Sequence, residues 1–211
     1  MDERLLPVTA VRSVGPDAVA IDIETPPEFD ARPGQFVKVT LPGDEDEESR
    51  FYTISSPDVE GTFEMTVGID PEGAVAPRLA DLEAGDELLV AGPFGSDYYE
   101  GEPRAVVIAG GPGVGPAVGI AERALQDGNE AAVVYQDDDP IHVERLDALE
   151  ADGAFVSLLA EDEDMTEAVA DAVADGGQVF VYGFADFLDA ATAALEAAGV
   201  DADGAKVENF G

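Results

Sequence analysis

Arg50-Phe51-Tyr52-Thr53-Ile54-Ser55-Ser56 puts a guanidinium, aromatic rings and hydroxyls on one short segment. A guanidinium fork grips phosphate oxygens bidentately. Tyr52 lies two residues from Arg50, and on a strand that spacing puts ring and cation on one face. Such a segment can line a groove for a ring-bearing phosphate ester, with Thr53 and Ser56 adding hydroxyls. The same pattern fits a strand whose Arg50 merely pairs with Asp44–Glu48. A second run, Gly110-Gly111-Pro112-Gly113-Val114-Gly115-Pro116, follows an apolar segment and opens a helical one. Glycines there let the backbone approach a pyrophosphate, and a helix N-terminus favours its charge. A tight strand–helix connection uses glycines in the same way.

The elements that must position these runs change in character along the chain. Leu5–Val14, Ala18–Glu24, Gln35–Leu41, Phe51–Ser55, Thr62–Ile69 and Glu87–Ala91 are predicted strands with partial alternation of apolar and polar residues. Gly15-Pro16-Asp17, Pro33-Gly34, Pro42-Gly43 and Pro57-Asp58 punctuate them. Six short strands of this kind predict a small antiparallel barrel, with a short helix at Val75–Leu82. After Gly92-Pro93-Phe94-Gly95 the pattern becomes βα. Strands are predicted at Arg104–Ala109, Ala131–Tyr135, Ala154–Leu159, Gln178–Tyr182 and Lys206–Phe210. Helices are predicted at Pro116–Gln126, His142–Leu149, Met165–Ala174 and Phe184–Ala198. Continuous apolar strands alternating with helices predict a parallel five-stranded sheet covered on both faces. The boundary falls between residues 100 and 103, giving domains 1–100 and 103–211.

Composition narrows the function. Forty-seven acidic residues against 10 basic ones give a net charge of −37 on 211 residues. Nucleic acid and anionic membrane surfaces both require a positive face, so neither is an expected partner. Roughly 2 to 8 charges already keep a small domain soluble, so solubility alone does not explain the excess. Acids spread along the whole chain, with Lys38 and Lys206 as the lysines, predict a protein adapted to molar salt. An acidic chain built for one basic partner has the same balance. The absence of cysteine excludes disulfides, thiolate nucleophiles and Cys-ligated metal centres. No metal site is expected. His142, the one histidine, is predicted to lie on an exposed helix without a catalytic role. With no charged-then-apolar leader and no long apolar run, the expected location is the cytoplasm, without membrane insertion.

Taken together and in this order, the two glycine- and arginine-bearing motifs resemble the ferredoxin–NADP reductase superfamily, in which a flavin-binding barrel precedes a nicotinamide-binding domain. The resemblance implies that Arg50 contacts the flavin pyrophosphate, Tyr52 packs on the flavin and Thr53 bonds near its reactive nitrogen. Ser56 matches the last position of that motif. Val67, Gly68 and Ile69 match the strand whose backbone faces the flavin. Gly73-Ala74-Val75-Ala76 matches a phosphate-cradling Gly-x-x-Ser/Thr loop, with Ala76 in place of the hydroxyl. In the second domain Gly110, Gly111 and Gly113 match Gly-Gly-Thr-Gly-x-x-Pro. There Pro112 replaces threonine and removes a hydroxyl and an N–H.

Tyr182-Gly183-Phe184 stands where the family has Cys-Gly-Pro. Tyr135 ends the strand that leads to the adenosine ribose, and Glu208 and Phe210 match a Glu-x-aromatic ending whose ring covers the flavin. By this resemblance the chain is a flavoprotein oxidoreductase that binds FAD and NADH (or NADPH). It passes hydride between them and electrons to a separate acceptor: ferredoxin, a flavin or another small acceptor. The alternative is a flavin-carrying electron-transfer subunit or redox-sensing module without NAD(P)H activity of its own.

Lowering salt from molar to about 0.1 M lengthens the Debye length from about 3 Å to about 10 Å and strengthens repulsion among carboxylates. Melting temperature and flavin retention are both expected to fall. A melting temperature that stays constant between the two conditions removes the salt-adaptation reading.

Overall fold

The computed structural model describes residues 1–41 and 48–211. The Pro42-Gly43 turn and the acidic run from Asp44 to Glu47 lie outside the described residues. The first strands are β1 (Arg4–Gly15), β2 (Ala18–Glu24), β3 (Phe36–Thr40), β4 (Ser49–Thr53), β5 (Thr62–Gly68) and β6 (Glu87–Phe94). They form one antiparallel sheet in the order β4-β3-β6-β1-β2-β5. An isolated bridge between Ile54 and Met65 ties the end of β4 to β5, so the two outer strands meet and the sheet curls back on itself. Alternation supplies the core: Ile21, Ile23, Val37, Val39, Phe63, Met65, Leu88 and Val90 face inward together. Helix α1 (Ala76–Ala80) drives Leu79 into the same core. Full burial of such a side chain contributes about 1.5–3 kcal/mol.

From Arg104 onward the chain runs β7 (Arg104–Gly110), α2 (Val114–Gln126), β8 (Glu130–Gln136), α3 (Val143–Ala151), β9 (Phe155–Leu159), α4 (Thr166–Val173), β10 (Gln178–Gly183), α5 (Ala185–Ala197) and β11 (Lys206–Asn209). All five strands are parallel, in the order β11-β10-β7-β8-β9. The unbroken apolar run of β7 is explained by cover on both faces. Ala105, Val107 and Ala109 pack with α2 and α3, and Val106 and Ile108 pack with α4 and α5. The strand order reverses between β7 and β10. In open α/β sheets ligands bind beyond the carboxyl ends of the strands at such a point.

Several local expectations need correction. Helix α2 begins at Val114 and not at Pro116, because a 3₁₀ turn over Gly111–Gly113 already winds the backbone. Strand β9, at one sheet edge, has no buried residue, with Phe155 and Leu158 exposed. His142 is 4% exposed and sits off the helix, as the left-handed N-cap of α3. Its N–H donates to the Val14 carbonyl at 2.8 Å and its ring bonds Thr66. A buried imidazole is tolerated when so partnered. Among the described residues no helix is long and apolar enough to cross a membrane.

Candidate active site

A groove of about 470 Å³ opens where the carboxyl ends of β7, β8 and β10 meet β4 and β5. Its barrel wall comprises Arg50–Thr53 of β4, Thr66 and Gly68 of β5, Ile69 and Asp70. The β1–β2 turn, Pro16–Ala18, joins this wall because the Ile69 N–H donates to the Asp17 carbonyl at 2.7 Å. The facing wall holds Pro112, Pro116, Asp137, Asp139, Ile141, Phe184 and Phe210. One groove is therefore built by both halves of the chain.

Arg50 stands at the barrel wall with its side chain 51% exposed, 3.3 Å from Glu48. It also donates to the Ser49 carbonyl. An exposed pair contributes only about 0–1 kcal/mol, so Arg50 can exchange a carboxylate for a phosphate at small cost. Tyr52 packs against the barrel core, and burial, opposed by the Arg50 charge, pushes its phenol up to about 12. The Thr53 hydroxyl lies 3.0 Å from both carboxylate oxygens of Glu208, which arrives on β11 from the other half. Burial, with a smaller contribution from Asp97 and against the Thr53 hydrogen bond, raises the Glu208 carboxyl to about 7. A carboxyl in that range can hold or release a proton near neutrality. The Phe210 ring stands 6.5 Å from Tyr182 and meets Phe184 edge-on at 6.1 Å.

Gly110–Gly113 leads from β7 into α2. A Cβ at Gly113 would collide with the Tyr182 carbonyl oxygen, so this turn tolerates no side chain there. One at Gly110 would collide with the Phe187 ring. Pro112 lies against the barrel, where a Cβ at Gly68 would come 3.8 Å from it. Gly183 is buried at the end of β10, and Phe184, 52% exposed, opens α5 at the groove. The Tyr182 hydroxyl is buried with no hydrogen-bond partner among the described residues.

Some candidates are not brought to this groove. Ser56 is drawn into the barrel, where its hydroxyl accepts the Glu64 N–H at 3.1 Å. The Val67 side chain is fully buried in the barrel core, leaving Gly68 and Ile69 on the wall. Gly73, Val75 and Ala76 do not line the groove either. Gly73 closes a turn with Asp70, and Val75 and Ala76 seat α1 on the core. Tyr135 is fully buried; its hydroxyl donates to Asp137 at 2.9 Å and accepts the Ile141 N–H, so it shapes the loop that presents Asp137 and Asp139. Arg145 points away from that loop, into the junction between the halves. Sequence reasoning missed Asp17, Phe51, Thr66, Asp70 and Ile141 as wall residues. Phe51 was within the motif, but the others carry no periodic signal and reach the groove only through tertiary pairing.

These residues suit a dinucleotide with a flat ring system. They offer one guanidinium, aromatic faces, a hydroxyl–carboxyl pair and a glycine turn whose Gly111 faces open space. Residues 6–99 match the model of the oxidoreductase FAD-binding domain. The chain is 40% identical over 91 residues to the probable dihydroorotate dehydrogenase B (NAD(+)) electron transfer subunit of Methanopyrus kandleri, covering 43% of this chain and 32% of that one. It is 33% identical over 141 residues to NADH-cytochrome b5 reductase 1 of Coccidioides immitis, covering 58% and 45%. The chain thus spans less than half the length of either relative. A ferredoxin NADP+ reductase from Neisseria gonorrhoeae, solved with bound FAD and NADP, superposes over 100% of both chains with TM-score 0.83 and 15% identity. Match and fold agree: an oxidoreductase FAD-binding domain over residues 6–99, and over the whole chain the two-domain fold of that reductase.

The Glu208 carboxyl has a testable signature. Its folded value of about 7 stands above the ordinary 4.5. Its contribution to stability is complete below the ordinary value and is lost as pH rises through about 7. Glu208→Gln removes that dependence. In denaturant titrations from pH 4.5 to 7.5, the wild type is expected to lose stability relative to the variant as pH rises, and parallel profiles refute the raised value.

Proposed function

We propose that the chain is an NAD(P)H-dependent flavoprotein reductase working across this groove. The observation that carries the reading is Glu208 reaching from β11 to Thr53 of the FAD-binding half. FAD and the nicotinamide dinucleotide, when bound, supply hydride and electron transfer. Arg50 holds the flavin pyrophosphate. Tyr52 and the Gly68–Ile69 backbone flank the ring system. Gly110–Gly113 and the start of α2 take the nicotinamide pyrophosphate. Thr53 and Glu208 hold a proton at the ring edge, and Phe210, with Phe184 beside it, shields that position from water.

The domains divide as 1–100 and 103–211, and electrons leave to a separate acceptor. That acceptor is a protein subunit, ferredoxin or small molecule, in keeping with a relative named as an electron transfer subunit. The charge of −37 fits a salt-accumulating cytoplasm.

The nucleotide end of the groove favours NADH. Asp137 and Asp139 line it, and Asp17 and Asp70 face it across the barrel wall. Arg145, the cation nearest in sequence, is bound to Glu64 and Glu122. A 2′-phosphate meets carboxylates, whereas free ribose hydroxyls can donate to them.

Stopped-flow mixing of the FAD-loaded chain with NADH in molar KCl is expected to bleach the flavin rapidly. A flavin that stays oxidised with both nicotinamides refutes the enzyme reading and favours a carrier subunit. With a dye acceptor, kcat/KM is expected to be higher for NADH than for NADPH; the opposite preference overturns the cofactor assignment. Arg50→Ala removes a charge-assisted bond of about 1.5–3 kcal/mol, which corresponds to roughly ten- to a hundredfold weaker FAD binding. Full flavin retention in dilute dialysis contradicts the role given to Arg50.

A further inference from the structure

Between the two sheets, away from Thr53 and Glu208, lies a second polar cluster that none of these roles uses. Arg145 on α3 donates through Nε and Nη2 to both Glu122 oxygens at 2.7 Å. Through Nη1 it reaches Glu64 of β5 at 2.8 Å, and through Nη2 the Ser55 carbonyl at 2.8 Å. Glu64 also accepts from Arg12 at 2.7 Å and from the Ser55 hydroxyl at 2.9 Å. Its side chain is only 9% exposed. Burial opposes its charge, but Arg145 and the hydrogen bond from Arg12 outweigh that and hold its carboxyl below the ordinary range.

The hydroxyls order themselves from this anchor. Ser55 donates to Glu64 and so accepts from Thr66 at 3.0 Å. Thr66, having donated, accepts from His142 Nε2 at 2.8 Å. The chain of donors therefore runs one way, from the α3 cap of one half to a buried carboxylate of the other.

Helix α2 rests on the same residues. A Cβ at Gly115 would stand 2.6 Å from Thr66 Oγ1, and one at Gly119 would stand 2.8 Å from the Ser55 carbonyl oxygen. These glycines are four apart, hence on one helix face. The helix that begins at the Gly110–Gly113 turn is seated on backbone and hydroxyls that Arg145, Glu64 and His142 hold in place. Thr66 is also part of the groove wall.

We propose that Arg145, Glu64 and the His142–Thr66–Ser55 chain are positioning residues that set where the glycine turn stands relative to the flavin wall. The inference rests on the reading of the groove as a two-cofactor site. The network does not touch Arg50, so its loss is expected to slow reduction without weakening FAD binding. A misplacement of about 1 Å by a change remote from the chemistry can cost on the order of a hundredfold.

The experiment uses the full FAD-loaded chain in molar KCl, with Arg145→Met, Arg145→Lys and Glu64→Gln. Ser55→Ala is added because it cuts the donor chain away from the groove wall without leaving a buried charge unpaired. Two quantities are read: the limiting rate of flavin reduction at saturating NADH, and amide hydrogen exchange over Gly111–Ile120. Arg145→Met and Ser55→Ala are expected to lower the rate about ten- to a hundredfold, with FAD affinity retained and exchange faster over that segment. Arg145→Lys keeps the charge but lacks the fork and recovers only part of the rate.

Variants whose loaded fraction is reduced at the wild-type rate overturn the inference, even if they melt earlier or lose FAD. A slower rate without faster exchange also overturns it, because the effect then lies elsewhere. If wild type itself is not reduced by NADH or NADPH, the proposed function fails. The inference is then decided by exchange alone, and unchanged exchange sinks it.

Discussion

Two sheets of different kind must stand at a fixed separation for a shared groove to exist, and contact between α2 and the barrel sets that separation. The contact works because α2 presents Gly115 and Gly119 where any larger residue would meet Thr66 or Ser55. Close-packed backbone leaves little freedom to slide or tilt. The rest of the site follows from it. The glycine turn comes to lie over Gly68, β11 can deliver Glu208 to Thr53, and Phe210 reaches the wall of the groove.

The charge balance gives the few cations a distinct task. In a chain of 47 acids and 10 bases, an arginine on the surface would always find carboxylates. Arg145 and Lys206 instead sit largely shielded and tie distant segments together, Arg145 bridging α2, α3 and β5 and Lys206 bridging β11 to Glu100 and Glu102. Breaking one partner from a buried pair strands a charge, so such contacts constrain geometry more than they add net stability. Within the groove Arg50 stands against four aspartates.

Much of the architecture was legible because its signals are local. Apolar runs such as Arg104–Ala109, glycine and proline punctuation, and the β-to-βα change near residue 100 fix element type without tertiary knowledge. The groove was legible where a motif occupies consecutive residues, as at Arg50–Thr53, and at Pro112 within the glycine turn. It was not legible where pairing of distant strands decides. Thr66 and Asp17 are ordinary residues of a strand and a turn until β5 and the β1–β2 turn meet. His142 was misplaced because helical periodicity does not reveal a left-handed cap whose ring is needed by another domain. Tyr135 was misassigned for a related reason: it ends the right strand, but its ring belongs to the face that packs on α2 and α3.

The far end of the parallel sheet carries a consequence of its own. Strand β9 is an edge whose outer backbone has no neighbouring strand among the described residues, and Phe155 and Leu158 lie exposed along it. An open, apolar edge invites strands of other molecules to add to it. Here Asp152 precedes it, and Glu161 and Asp162 follow it, all exposed. Charged residues that flank an unavoidable apolar strand act as gatekeepers against stacking. Repulsion among these carboxylates therefore holds the open edge of one molecule away from that of another.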